Sequence, residues 1–271
     1  MVNLSSHFSQ HSSPAEEEAI EVKAFVDLYS VSPATLKAEE RFECLSINDG
    51  CAISLPSAPA IGLNRILGLN SVKDLEKAYG WMDGKTGNRF LQVNTDRVSA
   101  GTKDWILAKG LTEYGVGWEK LVYDASSVNL PEPSSFQTRL VHVEEALLFG
   151  SMLCRGFNFP STLTSLWSSI VGKVGWSCFF ALDGDNPVGT AAMYQSGTYA
   201  WLGGGTTLPE FRNRGVQKAL IKSRVDHGLG NGVSRFAVET LAPVVGEPNI
   251  SFDNLRKVGF RHAFHRKNFK L

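Results

Sequence analysis

Between Trp176 and Lys267 the apolar pattern alternates between two periods, and that order limits the folds open to the chain. Trp176–Leu182 (WSCFFAL), Val188–Tyr194 and Tyr199–Leu202 read as three strands. They are separated only by the turns Asp183-Gly184-Asp185-Asn186 and Ser196-Gly197, which are short enough to make antiparallel neighbours. A helical stretch then runs from Arg214 to Leu229, with Val216, Ala219, Leu220 and Val225 on one face. Phe236–Thr240 predicts a strand, Ser251–Val258 a short helix closed by Gly259, and Phe260–Lys267 a last strand. Strands that alternate with helices need crossover connections, so parallel pairing is mixed into the antiparallel meander. The expected class is α+β, with a mixed, mostly antiparallel central sheet flanked by helices.

The 271 residues suggest two domains at roughly 150 residues each. Residues 1–22, rich in Ser, His and Glu, read as a disordered tail. Ala125–Ser135 (ASSVNLPEPSS) is the best linker in the chain. The expected division is therefore a first domain over 23–130 and a second over 131–271. The second opens with a helical pattern over Val141–Met152 and another over Leu163–Val171. In the first, Val72–Trp81 predicts a helix, while Arg89–Asn94 and Gly117–Tyr123 predict strands. Trp105–Leu111 (WILAKGL) echoes Leu255–Phe260 (LRKVGF), and an aromatic-rich strand candidate follows each, which points to a faint internal repeat.

Lys plus Arg number 27 and Asp plus Glu number 27, so the formal charge is zero. A dedicated polyanion binder needs a positive surplus, and nucleic acid and anionic membrane are not expected as partners. No apolar run approaches the ~18 residues that cross a bilayer. The N-terminus has no apolar signal segment, which makes the cytoplasm the expected location. Cys44, Cys51, Cys154 and Cys178 form no C-x-x-C pair and have no His at ligand spacing, so buried free thiols are expected and no metal.

The chemistry is concentrated in Leu208–Leu220, LPEFRNRGVQKAL, between a strand and a helix. A helix start offers free N–H groups and the positive end of the dipole to an anion. Gly215 lets a phosphate approach the backbone, and Arg212 and Arg214 add charge-assisted contacts. For an R-x-x-G alone, a solvated basic first turn is the competing reading.

The segment Arg212-Asn213-Arg214-Gly215-Val216-Gln217 resembles the acyl-CoA pyrophosphate loop of the GNAT superfamily of N-acetyltransferases, whose signature is [QR]-x-x-G-x-[GA]. The preceding T-L-P-x-x-R run and the late SFDNLRKVGF helix resemble the same family, and together the matches span about residues 140–271. The resemblance implies a GNAT acyl-CoA N-acyltransferase fold, in tandem if the first half is a degenerate copy that supplies one wall of the acceptor cleft. It implies acetyl-CoA as co-substrate, held by Thr206, Thr207, Leu208, Arg212, Asn213, Arg214, Gly215, Val216, Gln217 and Lys218, with Asn249 as a further contact. A backbone N–H near Gly205–Leu208 would polarise the thioester oxygen.

The implied reaction is direct attack of a small-molecule amine on acetyl-CoA in a ternary complex, in a monomer or homodimer. Glu239 is the candidate base, the competing reading being a strand-end glutamate in solvent. Where many relatives place an acidic tyrosine, four positions before Gly259-Phe260, this chain has Leu255. Ser251, Asn254, Tyr194 or water would then protonate the thiolate. Acid–base catalysis supplies roughly 10²–10⁴-fold, whereas orientation supplies about 7–11 kcal/mol, so an imperfect acid still permits an enzyme. The alternative is a non-catalytic acyl-CoA or metabolite-binding regulator on the same fold. An acyltransferase of protein or peptide amines is a third reading.

Other signals fail on spacing. Gly84-Lys85-Thr86 lacks the first P-loop glycine, since Tyr79 stands there, and Gly203-Gly204-Gly205 is no dinucleotide fingerprint. No G-x-S-x-G elbow occurs. His262 and His265, at i,i+3 on a strand, are expected on opposite faces, and the basic run Arg261–Lys270 reads as a solvated edge strand.

Overall fold

The computed structural model describes residues 14–126 and 136–271. The first half contains α1 (Pro14–Val31), α2 (Ala34–Glu39), β1 (Glu43–Ile47), β2 (Gly50–Ser54), β3 (Asn64–Leu67), α3 (Val72–Asp83), β4 (Phe90–Asn94), α4 (Ala100–Ala108), β5 (Thr112–Glu113) and β6 (Trp118–Asp124). The second contains β7 (Gln137–Leu140), α5 (Ala146–Phe157), α6 (Thr164–Ser168), β8 (Trp176–Asp183), β9 (Asn186–Ser196), β10 (Tyr199–Thr207), α7 (Val216–Gly230), β11 (Arg235–Leu241), α8 (Ile250–Val258) and β12 (Arg261–Lys270). The expected mixed α+β architecture is the one observed.

All described strands join one sheet in the order β1-β2-β3-β4-β12-β6-β11-β10-β9-β8-β7, with β5 beside β12. The two sequence halves therefore build no separate sheets. Each contains one parallel pair joined through a helix, β3 with β4 across α3 and β10 with β11 across α7. The strands between these pairs are exchanged. β6, from the first half, pairs with β11 of the second, and β12, from the second, pairs with β4 of the first. β6 and β12 pair with each other at the middle. The stretches that echo each other in sequence lie in α4 and α8, and each helix leads toward one of these central strands.

Three expectations are corrected here. The tail is not disordered up to residue 22, because α1 begins at Pro14 and buries Glu17, Glu18, Ile20 and Glu21. Residues 1–13 of that tail, and 127–135 of the expected linker, lie outside the described residues. The basic last strand is not a solvated edge, since β12 is flanked by β4 and β6 and Arg266 is fully buried. Nor do His262 and His265 point apart. A register shift between His262 and Phe264 brings His262 Nε2 and His265 Nδ1 to the same Glu119 carboxylate, at 2.6 and 2.9 Å.

The local chemistry of the elements follows from their ends. Ser71 and Ser99 accept from the backbone N–H groups of Asp74 and Thr102, starting α3 and α4. α5 starts at Ala146 rather than Val141, because Glu145 accepts from the His142 N–H and from Arg139 and so holds the preceding turn tight. The largest apolar cluster spans both halves: Phe25, Leu28 and Leu55 pack with Phe149, Trp176 and Trp201. All four cysteines are free, and three of them are buried.

Candidate active site

Two features of β10 shape the site. Its parallel register with β11 ends at Leu202 opposite Val238, and its ladder to β9 slips between Gly203 and Thr206. Beyond Leu202 the two strands part, and Gly204 and Gly205 lie in the bulge with no ladder partner on β9. One end of the resulting cleft opens toward the start of α7.

At that start Gly215 is the N-cap in a left-handed conformation (φ 96°), and Asn213 is left-handed as well (φ 62°). No side chain caps the helix, and the first bond accepted is Ala219 N–H to Gly215 O. The N–H groups ahead of Ala219 therefore have no helical acceptor. A φ near +96° strains any side chain except glycine's, so the loop needs Gly215 both for its path and for open backbone. Arg212, Asn213, Arg214 and Lys218 are exposed around it, while Val216 is buried and anchors the first turn. The Arg214 guanidinium lies 5.0 Å from the Phe211 ring and 5.5 Å from that of Phe136. A cavity of about 760 Å³ is lined by Thr206, Thr207 and all six residues 212–217, with Lys218, Ser251 and Asn254. The donors, the cations and the open backbone fit a pyrophosphate.

The cleft continues into a second cavity of about 530 Å³, which Phe157, Gly205, Gln217 and Ser251 share with the first. Gln217 also ties the two helices that flank it. Its amide donates to Ser251 Oγ (3.0 Å) and accepts from Asn254 Nδ2 (2.7 Å). Ser251 and Asn254 are thus brought to the junction of the cavities, engaged with Gln217. Glu239 lines the cleft, as does Leu255, which is buried. Two candidates lie elsewhere. Asn249 accepts from the Phe252 N–H and donates to Leu241 O, capping α8, and lines neither cavity. Tyr194 packs on Trp176 and lines a different depression, beside Asp27. Within the Gly205–Leu208 stretch, Leu208 N–H is already bonded to Val188 O, which leaves the bulge itself as the source of a polarising N–H.

The Glu239 carboxylate is no free strand-end acid. It accepts from Arg65 Nη1 (3.0 Å) and Arg266 Nη1 (2.8 Å), and its side chain is only 10% exposed. Those arginines also bond the fully buried Glu21, at 2.6 and 2.7 Å, and Lys120 donates to the same carboxylate. Glu18 completes a balanced group of three cations and three acids from α1, β3, β6, β11 and β12. Burial pushes the Glu239 carboxyl up, with Arg65 opposing it. Glu21, touched by all three cations, is held well below the ordinary range despite its burial.

Sequence reasoning missed Arg224, on the cleft side of α7. It is 97% buried, forms no ion pair among the described residues, and donates from Nε and Nη1 to Leu220 O, Ala192 O and Gly203 O, supporting the bulge from below. Burial lowers its guanidinium to about 9. The signal available was its spacing, since Gln217, Ile221 and Arg224 (i, i+4, i+7) share one helix face. It missed the first-half lining too, where Phe25, Leu63 and Trp118 form part of the cleft wall.

With this geometry in place, the second half can be compared with known proteins. Residues 152–249 match the family described as "Acetyltransferase (GNAT) family". Over this segment the sequence is similar to the GNAT acetyltransferase family. The match runs from α5 through β10, the loop and β11 to the cap of α8, so it includes the Gly215 loop. Solved structures share the fold over nearly the whole chain. A GCN5-related N-acetyltransferase from Kribbella flavida is 11% identical, with 93% of this chain and 95% of that one covered and a TM-score of 0.61. A tandem GNAT protein from the clavulanic acid biosynthesis pathway is 12% identical, with coverages of 95% and 93% and a TM-score of 0.57. A GNAT-family acetyltransferase from Colwellia psychrerythraea is 11% identical, with coverages of 93% and 96% and a TM-score of 0.55. No curated protein sequence matches. Among the described residues no group of three or more His, Cys, Asp or Glu could hold a metal, and no helix is long and apolar enough to cross a membrane.

Proposed function

We propose that the protein is an acetyl-CoA-dependent N-acyltransferase that transfers an acetyl group to a small-molecule amine by direct attack in a ternary complex. One observation carries the reading: the anion cradle at Gly215 opens into the cleft where β10 and β11 part. A ligand whose diphosphate lies on the α7 N-terminus can reach the glycine bulge with its far end. Residues 206–208 and 212–218 would hold the nucleotide part, with backbone N–H groups as the main donors.

Glu239 receives the proton that an ammonium must lose before its nitrogen attacks. Its raised carboxyl suits that task, and Arg65 and Arg266 fix its orientation. As the C–N bond forms and the C–S bond breaks, the electron pair leaves on sulfur. A bulge N–H stabilises the carbonyl oxygen, and Ser251 Oγ, at the junction of the two cavities, donates to the sulfur in place of the absent tyrosine. Water relays the second proton of the attacking nitrogen to the thiolate, and Glu239 then returns the first proton to solvent.

The first half acts as a GNAT-like domain without a coenzyme loop, with the boundary near residue 130. Its matching parallel pair supports this, as does the start of α3, where Asp74 bonds Ser71 Oγ (2.7 Å) and Asn48 (2.9 Å). A carboxylate of the chain itself thus stands at the helix end corresponding to the one an anion would use. Free thiol measured from acetyl-CoA across a panel of amines tests the function. The reading fails if no amine releases thiol. Buried Leu255 favours a second reading, a non-catalytic acyl-CoA-binding regulator, which stabilisation by coenzyme A without thiol release would support.

A further inference from the structure

We infer that the acceptor is a single amine carried on a flat, apolar body, an aryl- or heteroaryl-alkylamine, rather than a polyamine or an amino sugar. The inference rests on the acyltransfer reading above and concerns the cleft beyond the glycine bulge. Six aromatic side chains line that cleft: Phe25, Trp118, Phe157, Phe159, Trp167 and Trp201. Three of them form a nearly parallel ladder. Phe157 and Phe159 are 5.5 Å apart at 20°, and Phe159 and Trp167 are 6.5 Å apart at 14°. Phe25 closes on Trp201 at 5.2 Å. Phe157 is 43% exposed, which leaves one end of the ladder open for a further ring.

The polar inventory points the same way. Of the cleft-lining residues only Glu239 and Arg224 are charged. Glu239 is already bonded by Arg65 and Arg266, and Arg224 spends Nε and Nη1 on three carbonyls, of β9, of β10 and of its own helix. A polycationic acceptor would bring several ammonium groups into a space with one committed acid, and each would lose its water without a counter-charge. A single ammonium meets aromatic faces, which attract a cation, and then Glu239, which can take its proton.

The indoles supply an independent observation. The Nε1 atoms of Trp118, Trp167 and Trp201 are all buried with no hydrogen-bond partner among the described residues. A buried unpaired N–H is costly, and Phe or Leu would fill the same space without it. Keeping three such rings around one cavity is accounted for by their broad faces, the surface that a flat acceptor covers.

The test uses the full chain with acetyl-CoA and five amines: 2-phenylethylamine, tryptamine, ethylamine, spermidine and kanamycin. The expected kcat/KM for the two aryl amines exceeds that for ethylamine by about 10²-fold, with spermidine and kanamycin lower still. Phe159→Ala should lower the aryl-to-ethyl ratio about tenfold while KM for acetyl-CoA holds. Phe159→Leu, which keeps the bulk and removes the ring, keeps the test valid if Phe159→Ala fails to fold. Quenching of tryptophan emission by 2-phenylethylamine, measured with coenzyme A present, reads the cleft without turnover. Preference for spermidine or kanamycin would overturn the inference and leave acyltransfer standing. Equal response to 2-phenylethylamine and ethylamine in both turnover and quenching would also overturn it. Quenching by the aryl amine with no thiol from any amine would sink acyltransfer while upholding the aromatic ligand.

Discussion

Replacing Glu21 by Gln removes the one carboxylate that touches all three buried cations. Arg65 keeps Glu239, and Arg266 keeps Glu18 and Glu239, but Lys120 is left with no ion pair among the described residues. Breaking a buried ion pair on one side costs about 3–5 kcal/mol, and an amide N–H facing arginines adds nothing back. At about 4 kcal/mol, and with roughly 2–4 °C lost per kcal/mol in a chain of this size, Tm should fall by about 8–16 °C. Urea unfolding monitored by tryptophan emission, with the m-value fixed by comparison to wild type, measures the loss directly. The pH dependence carries a second signature. Glu21 is held well below its ordinary value, so the stability it contributes is present at neutral pH and lost as the pH falls through that depressed value. The variant lacks this acid limb. In it Lys120, already lowered by burial, sheds its proton more readily in the folded state, so raising the pH toward 10 recovers part of the loss. Adding Lys120→Met to the variant should restore at least about 1 kcal/mol. A loss below about 1 kcal/mol for Glu21→Gln would refute the docking of α1 on this cluster.

Glu17 behaves in the opposite sense. Burial pushes its carboxyl up to about 7, so the folded state keeps a proton that the unfolded chain has released, and stability falls as pH rises from about 4.5 to about 7. Glu17→Gln should therefore be more stable than wild type by up to about 3 kcal/mol at pH 8 and equal to it at pH 4, as read by chemical denaturation at both values. A Cβ at position 156 would lie 2.0 Å from Thr206 Oγ1 and 2.8 Å from its Cβ. Gly156→Ala should thus push β10 aside, lowering stability by about 1–2 kcal/mol and weakening coenzyme A affinity in calorimetry, despite alanine's better helix propensity. Glu239→Gln should lower kcat/KM by about 10²-fold and remove the acid limb of the rate profile, since protonation of the raised carboxyl shuts off the wild type as the pH falls. Unchanged rates at neutral pH would remove Glu239 as the base.

The second half was legible because its signals are local. Turn residues, strand alternation and the R-x-x-G at a helix start need only neighbours in sequence, and the Gly215 loop stands where those residues place it. What was hidden depends on distant partners. Glu17, Glu18 and Glu21 look like a solvated acidic run until Arg65, Lys120 and Arg266 come to meet the last two of them, from 44 to 248 residues away. In β12 the buried Arg266 faces the acids Glu18, Glu21 and Glu239 while its other charges lie nearer solvent, so its composition imitated an edge. The His262/His265 alternation was broken by a bulge that no periodicity reveals. The aromatic cleft was illegible for the same reason, since its six rings come from α1, β6, α5, β10, α6 and the segment between α5 and α6.

The account turns on Gly215 and the open N–H groups behind it. Titration with coenzyme A, followed by thermal unfolding of wild type and Gly215→Glu, tests that claim directly. At a hundredfold excess over Kd the wild type should gain about 2.7 kcal/mol, a rise of about 5–10 °C in Tm, and the variant none. No shift in the wild type, or an equal shift in Gly215→Glu, would contradict the placement of the coenzyme.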